Sequence, residues 1–184
     1  MTFRVINGKI LSDIFIRRNL FMSEKIRLKI RSVLYEVEAS LFSNEEENEA
    51  LEELMPMEAE IAPDELIINS EGLLNTENGR FEISYTESEA TGMEGATTSI
   101  SFFNDQPEII SMVRSGSVST ALVFEERKRH HCLYNTPYMP FEVCVHTLLV
   151  ENRLIEDGTL KLDYVVEIRG AQAERTKLDV QILK

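Results

Sequence analysis

From residue 22 onward, hydrophobic and polar positions alternate in short runs instead of recurring at helical spacing. Ile26, Leu28, Ile30, Val33 and Tyr35 are interleaved with Lys and Arg, which predicts a strand. After residue 62, further strands are expected at 64–74, 79–86, 96–104, 107–113, 117–126, 128–134, 140–152, 159–169 and 175–183. Turn residues divide them at Glu77-Asn78-Gly79, Asn104-Asp105-Gln106-Pro107, Ser115-Gly116 and Glu156-Asp157-Gly158-Thr159. Asn-Gly and Asp-Gly supply the positive φ that tight hairpins need, so Asn78-Gly79 and Asp157-Gly158 are strong hairpin signals. Short strands with no helical pattern between them imply antiparallel order. The expected fold is all-β, a closed antiparallel barrel of about eight or more strands. A parallel strand-helix-strand unit finds no support, which removes dinucleotide binding at a glycine-rich strand-helix turn.

Two segments depart from this texture. Residues 1–21 form a leader unlike the rest of the chain, and the barrel pattern begins at Met22. Arg17-Arg18 could be encoded AGG-AGG, a purine-rich ribosome-binding signal three codons ahead of Met22. The leader is therefore read either as lying outside the native protein or as a short element packed on the domain. Residues 43–60 hold eight Glu and no Lys or Arg. Ser43 and Glu46 have capping-box spacing, Ala50, Leu51 and Leu54 give a narrow apolar stripe, and Pro56 stops the run. A short acidic helical insertion is expected there, protruding into solvent.

Composition sharpens the picture. At 184 residues and 43% hydrophobic, the chain suits one domain with a real core. No run approaches the roughly 18 apolar residues of a membrane helix. The formal charge of −13 argues against nucleic acid and against an anionic membrane surface. The acidic insertion carries most of that charge. Two cysteines, Cys132 and Cys144, make no disulfide framework in a chain this long, so reduced thiols in a cytoplasmic protein are expected.

The most distinctive text is MVRSG at 112–116, HHCLYNTPYMPFEVCVHT at 130–147 and LKLDYVVEIRG at 160–170, with YTESEATGMEGATTSISF at 85–102 upstream. On these stretches residues 24–183 resemble the YwiB-like bacterial family of unknown function, with the acidic insertion as an addition. The resemblance implies a calycin-like barrel, similar in shape to the lipocalins. It also implies importance for Arg114, Gly116, Tyr134, Thr136, Tyr138, Phe141 and Glu142. This chain departs from the family pattern at Met139, where the family usually has Gly.

The titratable cluster His130, His131, Cys132, Cys144 and His146 offers zinc-ligand chemistry. A hairpin centred near Tyr138 would set Cys132 against Cys144 and His130 against His146 on one face. Neighbours on a pleated face point in parallel, however, and converge on one ion only with strong local twist. No metal and no cofactor are expected. The same register would put Arg129 and His131 on the apolar, inward face with Leu133, Phe141, Val143, Val145 and Thr147. No nucleophile elbow, phosphate loop or metalloprotease helix is present, so no catalytic residues are assigned. The first functional expectation is a barrel mouth binding a small, partly apolar or anionic ligand. Its walls would be Phe102, Tyr134, Tyr138, Phe141 and Thr147, with Arg114 as the anchor. The alternative is a filled barrel that docks a protein partner through the acidic insertion or a sheet edge, and an enzyme comes third.

Overall fold

The computed structural model describes residues 22–37, 63–168 and 173–183. Among these, ten strands run in chain order as β1 (Met22–Val37), β2 (Asp64–Glu77), β3 (Arg80–Thr86), β4 (Thr97–Phe103), β5 (Gln106–Ser115), β6 (Ser119–Phe124), β7 (Arg129–Asn135), β8 (Pro140–Arg153), β9 (Thr159–Ile168) and β10 (Ala173–Leu183). Each strand pairs antiparallel with its sequence neighbour, and β1 pairs with both β2 and β10, closing the barrel. All ten coincide with runs expected from alternation. The leader and the acidic insertion fall outside the described residues.

Local chemistry explains the turns. Asn78 and Gly79 both take positive φ, 49° and 79°, as a primed hairpin turn requires. Gly116, between β5 and β6, has φ 145°, and a Cβ there would stand 2.7 Å from the Cα of Ala96. Only glycine lets the two loops touch.

Inward positions alternate as the pleat demands. Leu28, Ile30, Leu74, Phe81, Ile83, Ile100, Phe124, Leu160 and Leu162 are buried in one cluster. Each such side chain contributes about 1.5–3 kcal/mol on burial. Phe81 stacks on Phe102 at 5.1 Å, and Phe124 packs tilted against Tyr164 at 4.7 Å. On the outer wall, Arg31 of β1 reaches Glu65 of β2 (2.6 Å) and Asp179 of β10 (3.2 Å). The interior changes character at the upper end of the barrel, where β3, β5, β7 and β9 finish. There the inward residues become polar and aromatic.

The β7–β8 hairpin has a different register from the expected one. Asn135 faces Pro140 across a four-residue turn, 136–139, so Cys132 faces Val143, His131 faces Cys144, and Arg129 faces His146. The turn is fixed by Thr136, whose hydroxyl donates to the Met139 carbonyl (2.8 Å) and accepts from the backbone N–H of Met139 (3.2 Å). An even turn moves each pair by one residue, and one residue of slip changes faces. Cys132 therefore packs against the interior cluster beside His130 and Tyr134, with Val143 and Val145 opposite. Arg129 and His131 point outward, not inward, with Cys144 and His146. The two cysteines lie on opposite faces of the sheet, which overturns the single-face arrangement. Met139 has no positive φ, so this turn needs no glycine there.

Candidate functional site at the upper end of the barrel

Strand register builds a continuous inward row at the upper end. Tyr85 of β3 faces Thr98 of β4, Thr98 faces Arg114 of β5, Arg114 faces Thr120 of β6, Thr120 faces Tyr134 of β7, and Tyr134 faces Phe141 of β8. Glu87 keeps phase with Phe81, Ile83 and Tyr85 and turns its carboxylate inward at the end of β3. Its backbone N–H donates to the Ala96 carbonyl at 2.7 Å, which fixes the loop to β4.

A short hydrogen-bond chain organises the row. Arg114 donates through Nε to the Thr98 hydroxyl (3.1 Å), and Thr98 donates to Glu87 Oε1 (2.5 Å). Arg114 Nε also stands 3.6 Å from that oxygen. The Glu87 side chain is 2% exposed and that of Arg114 16%, so the pair is largely shielded from solvent, Glu87 more completely than Arg114. A buried carboxylate needs such partners, since leaving it unpaired costs several kcal/mol. The other edge of the guanidinium meets a weaker neighbour, with Nη2 3.9 Å from the Met112 thioether.

Tyrosines surround this pair. Burial, and then the charge of Glu87, push the Tyr85 hydroxyl well above its ordinary pKa. Tyr164 is raised by burial, while Arg114 and a hydrogen bond to Thr176 draw it back. Tyr134 and Phe141 stack at 5.2 Å, are each partly exposed, and form the accessible wall. Thr120 is 6% exposed, and its hydroxyl has no hydrogen-bond partner among the described residues. The Cys132 thiol, a weak acceptor, is a polar neighbour, and the Thr120 hydroxyl partly offsets the upward push that burial gives that thiol's pKa.

Of the six expected ligand-binding residues, the structure brings together Arg114, Tyr134 and Phe141. Phe102 lies four residues beyond Thr98, about 13 Å along β4, and belongs to the lower core. Thr147 faces Tyr164 at a deeper level of β8. Tyr138 is 95% exposed in the β7–β8 turn and lines no part of the interior. Sequence reasoning missed Glu87, Thr98 and Thr120. Glu87 carried a usable signal, an acidic residue in phase with three inward apolar positions.

The row from Tyr85 to Phe141 lies within residues 57–180, which match the DUF1934 family, described as a domain of unknown function. The chain belongs to the DUF1934 family. Its barrel is similar to the crystal structure of YwiB protein from Bacillus subtilis, with a TM-score of 0.59 and 12% identity, over 88% of this chain and 94% of that one. This likeness extends the DUF1934 assignment to the fold, and the expected YwiB-like kinship holds. No curated protein matches the chain. Among the described residues no helix is long and apolar enough to cross a membrane.

Proposed function

We propose that this DUF1934 barrel is a cytoplasmic, calycin-like binding protein that takes a small, partly apolar anion at its upper end, with Arg114 as the anchor. One observation carries the reading: a guanidinium fixed on its Nε side by Thr98 and Glu87 stands in one inward row with Tyr134 and Phe141, whose stacked rings are partly exposed. A fixed cation beside an apolar wall orients a ligand that has an acidic head and an apolar body. The test is a thermal-shift panel of small aromatic and aliphatic anions on wild type and Arg114→Lys. Lysine keeps a charge for Glu87 but loses the planar fork. Alanine would strand a buried carboxylate and confuse binding with unfolding. A ligand at a hundredfold excess over its Kd adds about 2.7 kcal/mol to wild type and less to the variant. If no compound shifts the melt, the reading fails.

A second reading rests on a separate observation. Val113, Leu133, Tyr138 and Met139 are exposed by 40%, 55%, 95% and 63% on the outer wall and turn near β7. Exposed apolar residues grouped in this way suit a protein partner. Pull-down with Leu133→Asp and Tyr138→Ala variants separates this reading from ligand binding, because neither residue faces the interior.

A further inference from the structure

Thr120 has no part in the chain that holds Arg114, yet its position beside that residue is fixed by register. The two are direct cross-strand partners on the inner face, which sets their Cβ atoms about 5 Å apart. We propose that Arg114 and Thr120 together read a planar carboxylate, whose apolar body lies against the stacked rings of Tyr134 and Phe141; this rests on the proposal that the upper end binds an anion. Three features select that head group. The Nε edge of Arg114 is occupied by Thr98, and Nη2 meets only a sulfur at 3.9 Å, so one edge of the fork is left for a strong acceptor. The Thr120 hydroxyl is buried with no oxygen or nitrogen partner among the described residues and only the weak thiol acceptor of Cys132 beside it, whereas buried hydroxyls nearly always find a strong partner. Glu87 stands 3.6 Å from the Nε of Arg114, so a phosphate dianion would meet more repulsion from that carboxylate than a monoanion would, and of the two anionic heads the carboxylate is the better match. Tyr134 stands across from Thr120, which places the stacking wall next to the second donor.

The experiment is isothermal titration of the full chain with 2-naphthoate, 2-naphthamide and 2-naphthyl phosphate, on wild type, Thr120→Val, Thr120→Ser and Arg114→Lys. Wild type should bind the naphthoate at least about tenfold more tightly than the other two. Thr120→Val should lose about tenfold for the naphthoate alone, and Thr120→Ser should restore it. Valine is nearly isosteric, and removing a buried hydroxyl whose partner is only a weak thiol acceptor should also raise the melting temperature without any ligand. Equal binding of naphthoate and naphthamide, tighter binding of the phosphate, or an unchanged naphthoate affinity in Thr120→Val would overturn the proposal while leaving a binding barrel intact. If none of the three binds while other anions shift the melt, the carboxylate reading alone falls. If nothing binds or shifts the melt, both readings fall.

Discussion

The wall around β1 and the seam between β6 and β7 are built from the same alternation but held very differently. β1 is in register with β2 over thirteen pairs and with β10 over eleven, and Arg31 ties all three strands together outside. The register between β6 and β7 comprises two pairs, Ser119 with Asn135 and Thr120 with Tyr134. Below them the paired register stops, and the chain turns back where the Lys128 N–H donates to the Glu125 carbonyl at 3.0 Å and Arg127 takes φ 61°. Beyond that turn the backbone of Arg127 and Lys128 bonds to Thr147 of β8 instead of β6. Closure in topology is therefore not uniform closure in energy. The two pairs that zip the seam also include Thr120 and Tyr134 of the candidate site, so the weakest join in the wall and the binding row share residues.

The largest expected consequence is in native-state hydrogen exchange. Amides in the β1 ladders should exchange near the full unfolding free energy, about 5–15 kcal/mol for a domain, whereas those along the β6–β7 seam should open locally at much lower cost. Equal protection on both sides would end the contrast. Core truncation sharpens it next. Leu28→Ala in the wall and Leu122→Ala beside the seam both delete a buried leucine, with a typical cost of about 2–5 kcal/mol. The wall site should fall toward the upper value because its neighbours are pinned, and the seam site toward the lower because it can collapse. Urea unfolding of the two variants measures the difference.

Alkaline titration probes whether the seam lets water reach the upper interior. Burial raises the pKa of Tyr85 and Tyr164 above the ordinary tyrosine value of 10.0. The unfolded chain then releases protons first as pH rises, so their stabilising effect is complete below pH 10 and is lost above it. Both should form tyrosinate only as the barrel unfolds, in one late cooperative step of the ultraviolet difference spectrum. Gradual ionisation in a folded barrel would mean a wetter interior. The smallest effect is expected from Arg31→Ala, whose ion pairs are exposed and screened by solvent. A larger loss in urea unfolding would show that the outer pairs, and not register and core, hold the wall.

Much of the barrel was legible in the sequence because strand alternation and hairpin turns are local signals. Phe81, Ile83 and Tyr85 announce a strand and its inner face with no tertiary information, and Asn78-Gly79 announces its turn. The β7–β8 register was not legible, because it depends on whether the turn holds an odd or even number of residues. That is decided by the Thr136 hydroxyl capping Met139, a contact between side chain and backbone with no periodicity to reveal it. That Arg114, Tyr134 and Phe141 stand in one inward row was legible, since a cation at a strand end and aromatics near a turn stand out. Thr98 and Thr120 did not, because a threonine in a strand reads the same whether its hydroxyl is orphaned or bonded. Tyr138 lies in the turn in either register, where no strand alternation decides which way a side chain points, and it stands exposed.

The clustering of aromatic hydroxyls at the upper end has an optical consequence. The chain contains no tryptophan and five tyrosines, of which Tyr85, Tyr134 and Tyr164 belong to the candidate site or its immediate surroundings. Intrinsic emission is therefore weighted toward that end of the molecule. A naphthalene ring seated on Tyr134 would collect excitation from these phenols and quench them, so occupancy can be followed on the native chain with no label attached.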